Sequence, residues 1–160
     1  MTAATTNKTY PVIVIVLVLV IAAMVYKFIV SGSTEKAADG RVSVVLAPGE
    51  RALVLREMRD FVAGIQLITD ALSRNDMKGV ARAARAMGST RMHDAPVAMM
   101  GRLPLAFKTL GFGVHHEFDS IAMDAEGIGI PAHTLAQLSG VLQKCVACHA
   151  TYQLQVEATQ

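Results

Sequence analysis

The sequence predicts an all-α protein: an antiparallel four-helix bundle preceded by one transmembrane helix. Three observations carry that expectation. Apolar residues make up 52% of the chain and mean hydropathy is +0.41, with the excess gathered in one run near the start. Beyond that run, four stretches bring apolar residues back every three or four positions, the period of a helix face. Turn signals separate those stretches, and none of them alternates at the strand period of two. A length of 160 residues suits one folded domain beside the span.

Residues 1–10 read as a short polar, cytoplasmic tail. Pro11 to Val30 reads PVIVIVLVLVIAAMVYKFIV, with Lys27 its single charge. As a helix it would extend roughly 30 Å, the thickness of a bilayer's hydrocarbon core. The run is longer than the roughly 7–15 apolar residues of a secretory signal. Its small pair, Ala22-Ala23, lies inside the run rather than after it, so residues 11–30 are expected to be an uncleaved anchor. Residues 31–46 are small and polar, then briefly β-like, and read as a tether without firm structure. The domain is expected over 47–160.

The first bundle helix is expected from Pro48 to about Ser73, since proline suits a first helical turn. Val54, Met58, Phe61, Ile65, Ile68 and Leu72 form its seam, and Arg56, Arg59, Asp60, Gln66 and Asp70 fall off it. The second opens at Asn75-Asp76, a capping pair, and runs through Met77, Val80, Ala81, Ala84 and Met87 towards Gly88-Ser89-Thr90. Between Arg91 and Arg102 the pattern is ambiguous: Pro96 argues for a break, while Val97-Ala98-Met99-Met100 suits a new turn. The third follows Pro104, with a seam of Phe107, Leu110, Val114, Phe118 and Ile121, and stops near Gly127-Ile128-Gly129-Ile130-Pro131. The fourth is expected from Pro131 to about Val156, burying Leu138, Leu142, Cys145, His149, Tyr152 and Val156.

Net charge is +2 and the basic residues are scattered, which gives nucleic acid no footprint. Both cysteines of the chain lie in Cys145-Val146-Ala147-Cys148-His149. Cysteines this close do not build a disulfide framework. Cys-x-x-Cys on a helical turn presents two thiols to one edge of a haem, where each can form a thioether with a vinyl group. The next residue, His149, then reaches the iron from one face. A structural zinc site would need a second Cys/His pair at matching spacing, and a thioredoxin-like redox pair would need a preceding strand. The motif therefore points to one covalently attached haem c, with His149 as proximal iron ligand. Lys27, Lys36 and Arg41 after the span outnumber Lys8 and the amino terminus before it, which by cation count alone favours the reverse orientation. Covalent haem attachment takes place outside the cytoplasm, and this sets the expected topology instead: a single pass through a bacterial inner membrane, with the domain in the periplasm.

A haem motif at the C-terminal end of a helical domain resembles the class II cytochromes c, the cytochrome c-prime group and its low-spin relatives. The resemblance covers roughly Ala47 to Gln155. It is carried by Lys144-Cys145-Val146-Ala147-Cys148-His149-Ala150-Thr151-Tyr152, including the aromatic residue three places after the histidine. It implies haem held between the first and last helices of a four-helix bundle. Five-coordinate members of that group bind small gases such as nitric oxide, and six-coordinate members use a methionine of the first helix and transfer electrons. Met58 matches that methionine. Gln153 stands where the group often has a basic residue, and the membrane anchor departs from the soluble pattern.

From spacing alone, Met58 reads as core filler as readily as a ligand; the resemblance makes it the expected distal ligand. The rivals are His115 and His116 on the third helix, then Met92, His93, Met99, Met100 and Met123, or an open distal face. Arg56 and Arg59 flank Met58 as candidate propionate partners, and Phe61 and Tyr152 as packing beside the ring. The expected function is single-electron transfer between respiratory or photosynthetic redox proteins in or at the membrane. Gas binding and service as a haem subunit of a larger membrane complex are the alternatives. No acid–base pair, nucleophile constellation or phosphate loop is apparent, so no enzyme is expected.

Overall fold

The computed structural model describes residues 9–158, the side chains of His93 and Asp94 excepted. The expected tail over 1–10 lies mostly outside those residues. The chain is mostly helical. Helix α1 (Thr9–Val25) continues into a wider π-helical turn, Tyr26–Ser31. Together they are long and apolar enough to cross a membrane, and residues 9–30 are exposed. Lys27 folds back to donate to the carbonyl of Gly32 (3.0 Å).

Four long or medium helices follow the expected order: α2 (Pro48–Ser73), α3 (Met77–Arg85), α5 (Leu105–Gly127) and α6 (Pro131–Thr151). The α2 start is fixed by Glu50, whose carboxylate accepts from the Ala47 amide (2.9 Å). Asp76 caps α3 by accepting from the Gly79 amide (2.8 Å), as its side chain predicts. The ambiguous stretch resolves into a 3₁₀ segment (Ser89–Asp94), a break at Pro96, and the short helix α4 (Val97–Arg102). Residues of α2, α3, α5 and α6 share the larger core, around Ile68, Val80, Phe118, Ile121 and Val141, all fully buried.

The strands are the first departure from an all-α reading. β1 (Thr34–Lys36) and β2 (Val42–Leu46) form an antiparallel pair, and β3 (Tyr152–Val156) runs parallel to β2, with Val42 opposite Tyr152 and Leu46 opposite Val156. Residues 31–46 are therefore not a loose tether, and the domain's packing begins before residue 47. The reason is burial: Val44 and Leu46 are wholly enclosed in a second, smaller core with Val54, Met99, Leu103 and Phe107. The last helix also stops at Thr151 instead of reaching Val156. Tyr152, Leu154 and Val156 then alternate with Gln153 and Gln155, a strand pattern that finds its partner in β2.

Candidate functional site

Helix α6 buries Thr134, Leu138 and Val141, while Leu142 is 42% exposed. The inward stripe therefore runs 134, 138, 141, 145, 148, which keeps Leu138 and Cys145 of the expected seam and replaces Leu142 and His149 by the residues one place earlier. Two neighbouring apolar residues, Val141 and Leu142, both satisfy the pattern, and the packing against α5 selects Val141. The stripe thus takes in Cys148 beside Cys145, both half-buried, and leaves His149 exposed beside it. His149 is thus not a buried seam residue.

The two thiols face different surroundings. Cys145 packs against the larger core and Cys148 against the smaller one. Burial pushes both thiols above their ordinary value. The Glu117 carboxylate adds to the rise at Cys145, and Cys145 adds to it at Cys148. Lys144 forms an ion pair with Glu117, tying α6 to α5 beside Cys145.

Two clefts meet at Cys148. The first, about 240 Å³, is walled mainly by apolar side chains of α2, α4 and α5, among them Met58, Phe61, Met99 and Phe107. The second, about 220 Å³, is lined by Met58, Phe107, His149, Tyr152, Arg41 and Arg51 among others. Val54, Met58, Phe107 and Cys148 belong to both. The structure thus brings Met58 of α2 to the same clefts as the α6 motif. Cys145 lines neither. No family model matches the chain, and no curated protein or solved structure matches it significantly.

His115 has a different situation from the one its spacing suggests. It is 4% exposed, with Nδ1 2.7 Å from the Met87 carbonyl and Nε2 3.1 Å from the Glu57 carboxylate. Its ring lies 5.0 Å from that of Phe61, which stacks on Phe118 at 5.6 Å. Both nitrogens are engaged by acceptors. Burial works against its charge, but the hydrogen bonds to Glu57 and to the Met87 carbonyl outweigh burial and hold its pKa above the usual histidine value. His116 and Met123 are exposed. Met92, Met99 and Met100 line the first cleft, and the His93 side chain lies outside the described residues. Arg56 borders the first cleft; Arg59 is exposed.

Arg41 is the residue that sequence reasoning missed. Its guanidinium donates to Gln153 Oε1 (2.7 Å) and lies 3.4 and 3.5 Å from the carbonyls of His149 and Tyr152. It thereby places a cation at the carboxyl end of α6, where the helix dipole favours one. Asp39 holds it in turn (2.7 Å). The cation comes from the turn before β2 and arrives beside Gln153 through space. No local signal in the sequence marks it, because the contact depends on β2 pairing with β3.

The residue types are those that would hold a haem, with Cys148, His149 and Met58 lining the second cleft and Cys145 outside it. Two half-buried free thiols lie one turn apart, and an imidazole and a thioether border a shared cleft. The walls of the first cleft are mainly apolar, as a porphyrin needs, and Arg51 brings positive charge to the second, as its propionates need.

Proposed function

We propose that the chain is a membrane-anchored, periplasmic monohaem c-type cytochrome of the four-helix, class II kind that passes single electrons between redox proteins in or at the membrane. The observation that carries the reading is the convergence of Cys148, His149 and Met58 on one pair of clefts from helices α6 and α2. Haem bound there would supply a one-electron couple. Cys145 and Cys148 would hold it covalently and His149 and Met58 would hold its iron. A thioether ligand favours the reduced state. Arg51 of the second cleft and Arg56 of the first are the candidate partners of its propionates, since Arg41 is already engaged by Asp39 and Gln153 and Arg59 lines neither cleft. His115 is already engaged by Met87 and Glu57, which favours Met58 over it as distal ligand.

The test is the visible spectrum of the membrane-extracted protein beside that of its Met58→Ala variant. The expected parent is low-spin and unchanged by carbon monoxide, and the variant becomes high-spin and binds the gas. A high-spin parent that binds carbon monoxide would sink electron transfer through Met58 and support the gas-binding alternative. An unchanged low-spin variant would remove Met58 as ligand. The double substitution Cys145→Ala with Cys148→Ala is expected to abolish haem staining on a denaturing gel, and retained staining would refute covalent attachment.

A further inference from the structure

We propose that helix α4 and the start of α5 form a second membrane contact, which seats this face of the domain in the headgroup layer of the leaflet where the anchor ends. The proposal rests on the reading of residues 9–31 as a membrane span. The partner is the lipid surface.

The anchor does not end in free space. Gly32 is buried so closely against residues 102–104 that an added Cβ would lie 2.4 Å from the Arg102 carbonyl oxygen. The Ser33 amide donates to that same oxygen (2.7 Å). The Lys108 ammonium bridges the carbonyls of Ile29 (3.1 Å) and Met100 (3.2 Å). A Cβ on Gly101 would touch the Phe28 ring at 3.6 Å. The last turns of the span are therefore packed on α4 and α5.

Each headgroup layer of a bilayer is about 5–7 Å thick, by difference between the full thickness and the hydrocarbon core. A helix with its side chains is about 10 Å across. A helix that touches the end of the span cannot stand clear of that layer.

The side chains that flank the contact are suited to it. Val97 lies one turn before Gly101, on the face that meets Phe28. It is 88% exposed, the most exposed large apolar side chain among the described residues. Leu105, 45% exposed, shares a face with Lys108 in the same way. Two apolar side chains thus flank the contact, within which Lys108 donates to the end of the anchor. Apolar residues with long-stemmed cations are the composition of an interfacial helix face. The first cleft shares Met100, Leu103 and Lys108 with this region, so its wall stands beside the lipid.

The chain contains no tryptophan, so one introduced tryptophan reports its own surroundings. Full-length Val97→Trp, Leu105→Trp, Val18→Trp and Ile128→Trp variants would be reconstituted into phosphatidylcholine–phosphatidylglycerol vesicles with plain or brominated acyl chains. The ratio of emission in the two lipids cancels any fixed quenching by bound haem. Val18 lies in the span. Ile128 sits beyond the far end of α5, about 34 Å along the helix from Leu105. Emission at positions 97 and 105 is expected to fall roughly twofold in brominated lipid, as for side chains seated about 5–10 Å into the headgroup boundary. Position 18 should be quenched more strongly and position 128 not at all. Quenching at 18 without quenching at 97 overturns the surface contact and leaves the anchor intact. Equal quenching at 97 and 128 overturns it too, because the contact would then not belong to this face. No quenching at 18 overturns the anchor reading, and the proposal with it.

Discussion

Gly32→Ala tests whether the span and the domain are one rigid piece. Gly32 has φ 65° and ψ −156°, a conformation that only glycine adopts readily. Alanine there costs about 1–3 kcal/mol of backbone strain. The new Cβ would also lie 2.4, 2.7 and 2.8 Å from the Arg102 oxygen, the Pro104 nitrogen and the Leu103 carbonyl carbon. These are backbone atoms and cannot rotate aside as the end of a side chain can. Relief requires the chain to lift away, which breaks the hydrogen bond from Ser33 to Arg102, worth about 0.5–1.5 kcal/mol. The sum is about 2–4 kcal/mol. At about 4 °C per kcal/mol for a domain of this size, Tm falls by roughly 8–16 °C. The assay is thermal loss of helical circular dichroism in detergent. Gly40→Ala is the control: its φ is 89° but nothing lies within 4 Å of the added atom, so it carries strain without contact. A Tm for Gly32→Ala no lower than that of Gly40→Ala would refute the docked geometry.

Three other outcomes are expected. Phe118→Ala, at a fully buried position stacked on Phe61, should cost about 3–5 kcal/mol in denaturant unfolding, and Phe118→Leu under about 1.5 kcal/mol; equal losses would argue against tight packing there. His115→Gln should destabilise in a pH-dependent way. The folded pKa of His115 is raised, so the stabilisation it brings is complete below the ordinary histidine value of about 6.5 and fades as pH rises through the folded value. The gap between parent and variant should therefore be widest in mild acid, and a gap that grows towards alkaline pH would contradict the Glu57 pairing. Arg41→Gln should loosen the end of α6 by about 1 kcal/mol, read as roughly fivefold faster hydrogen exchange at residues 149–153; unchanged exchange would mean that the guanidinium does not hold those carbonyls.

The helices were legible because each carries its own instructions. The seam from Val54 to Leu72 needs no partner to be recognised, and neither does the Asp76 cap. The strand β3 was harder, for a geometric reason. Tyr152 and Val156 are four apart, which is close to one helical turn and is also two strand repeats. The pattern that continues the helix therefore also describes a strand, and only β2, more than a hundred residues earlier, decides between them. Val42–Leu46 looked β-like, but a short hairpin is marginal alone, so its ordering depends on the same distant partner. Within the site, the pairing of both cysteines on one face followed from spacing. The exposure of His149 did not, since it turns on whether Val141 or Leu142 meets α5. The engagement of His115 was equally hidden, because Met87 and Glu57 lie on other elements.

The parallel pairing of β2 with β3 has a consequence for assembly. Synthesis runs from the amino terminus, so β2 emerges more than a hundred residues before its partner. Contacts between such distant segments form slowly, because a long loop must close first. Until then Val44 and Leu46 lack part of their cover, Arg41 has no Gln153 to meet, and Cys148 and His149 end a helix with nothing beyond it. The nascent domain therefore passes through a stage in which the segment from Cys145 to His149 is more open than in the folded chain. Arrival of the final strand closes that stage.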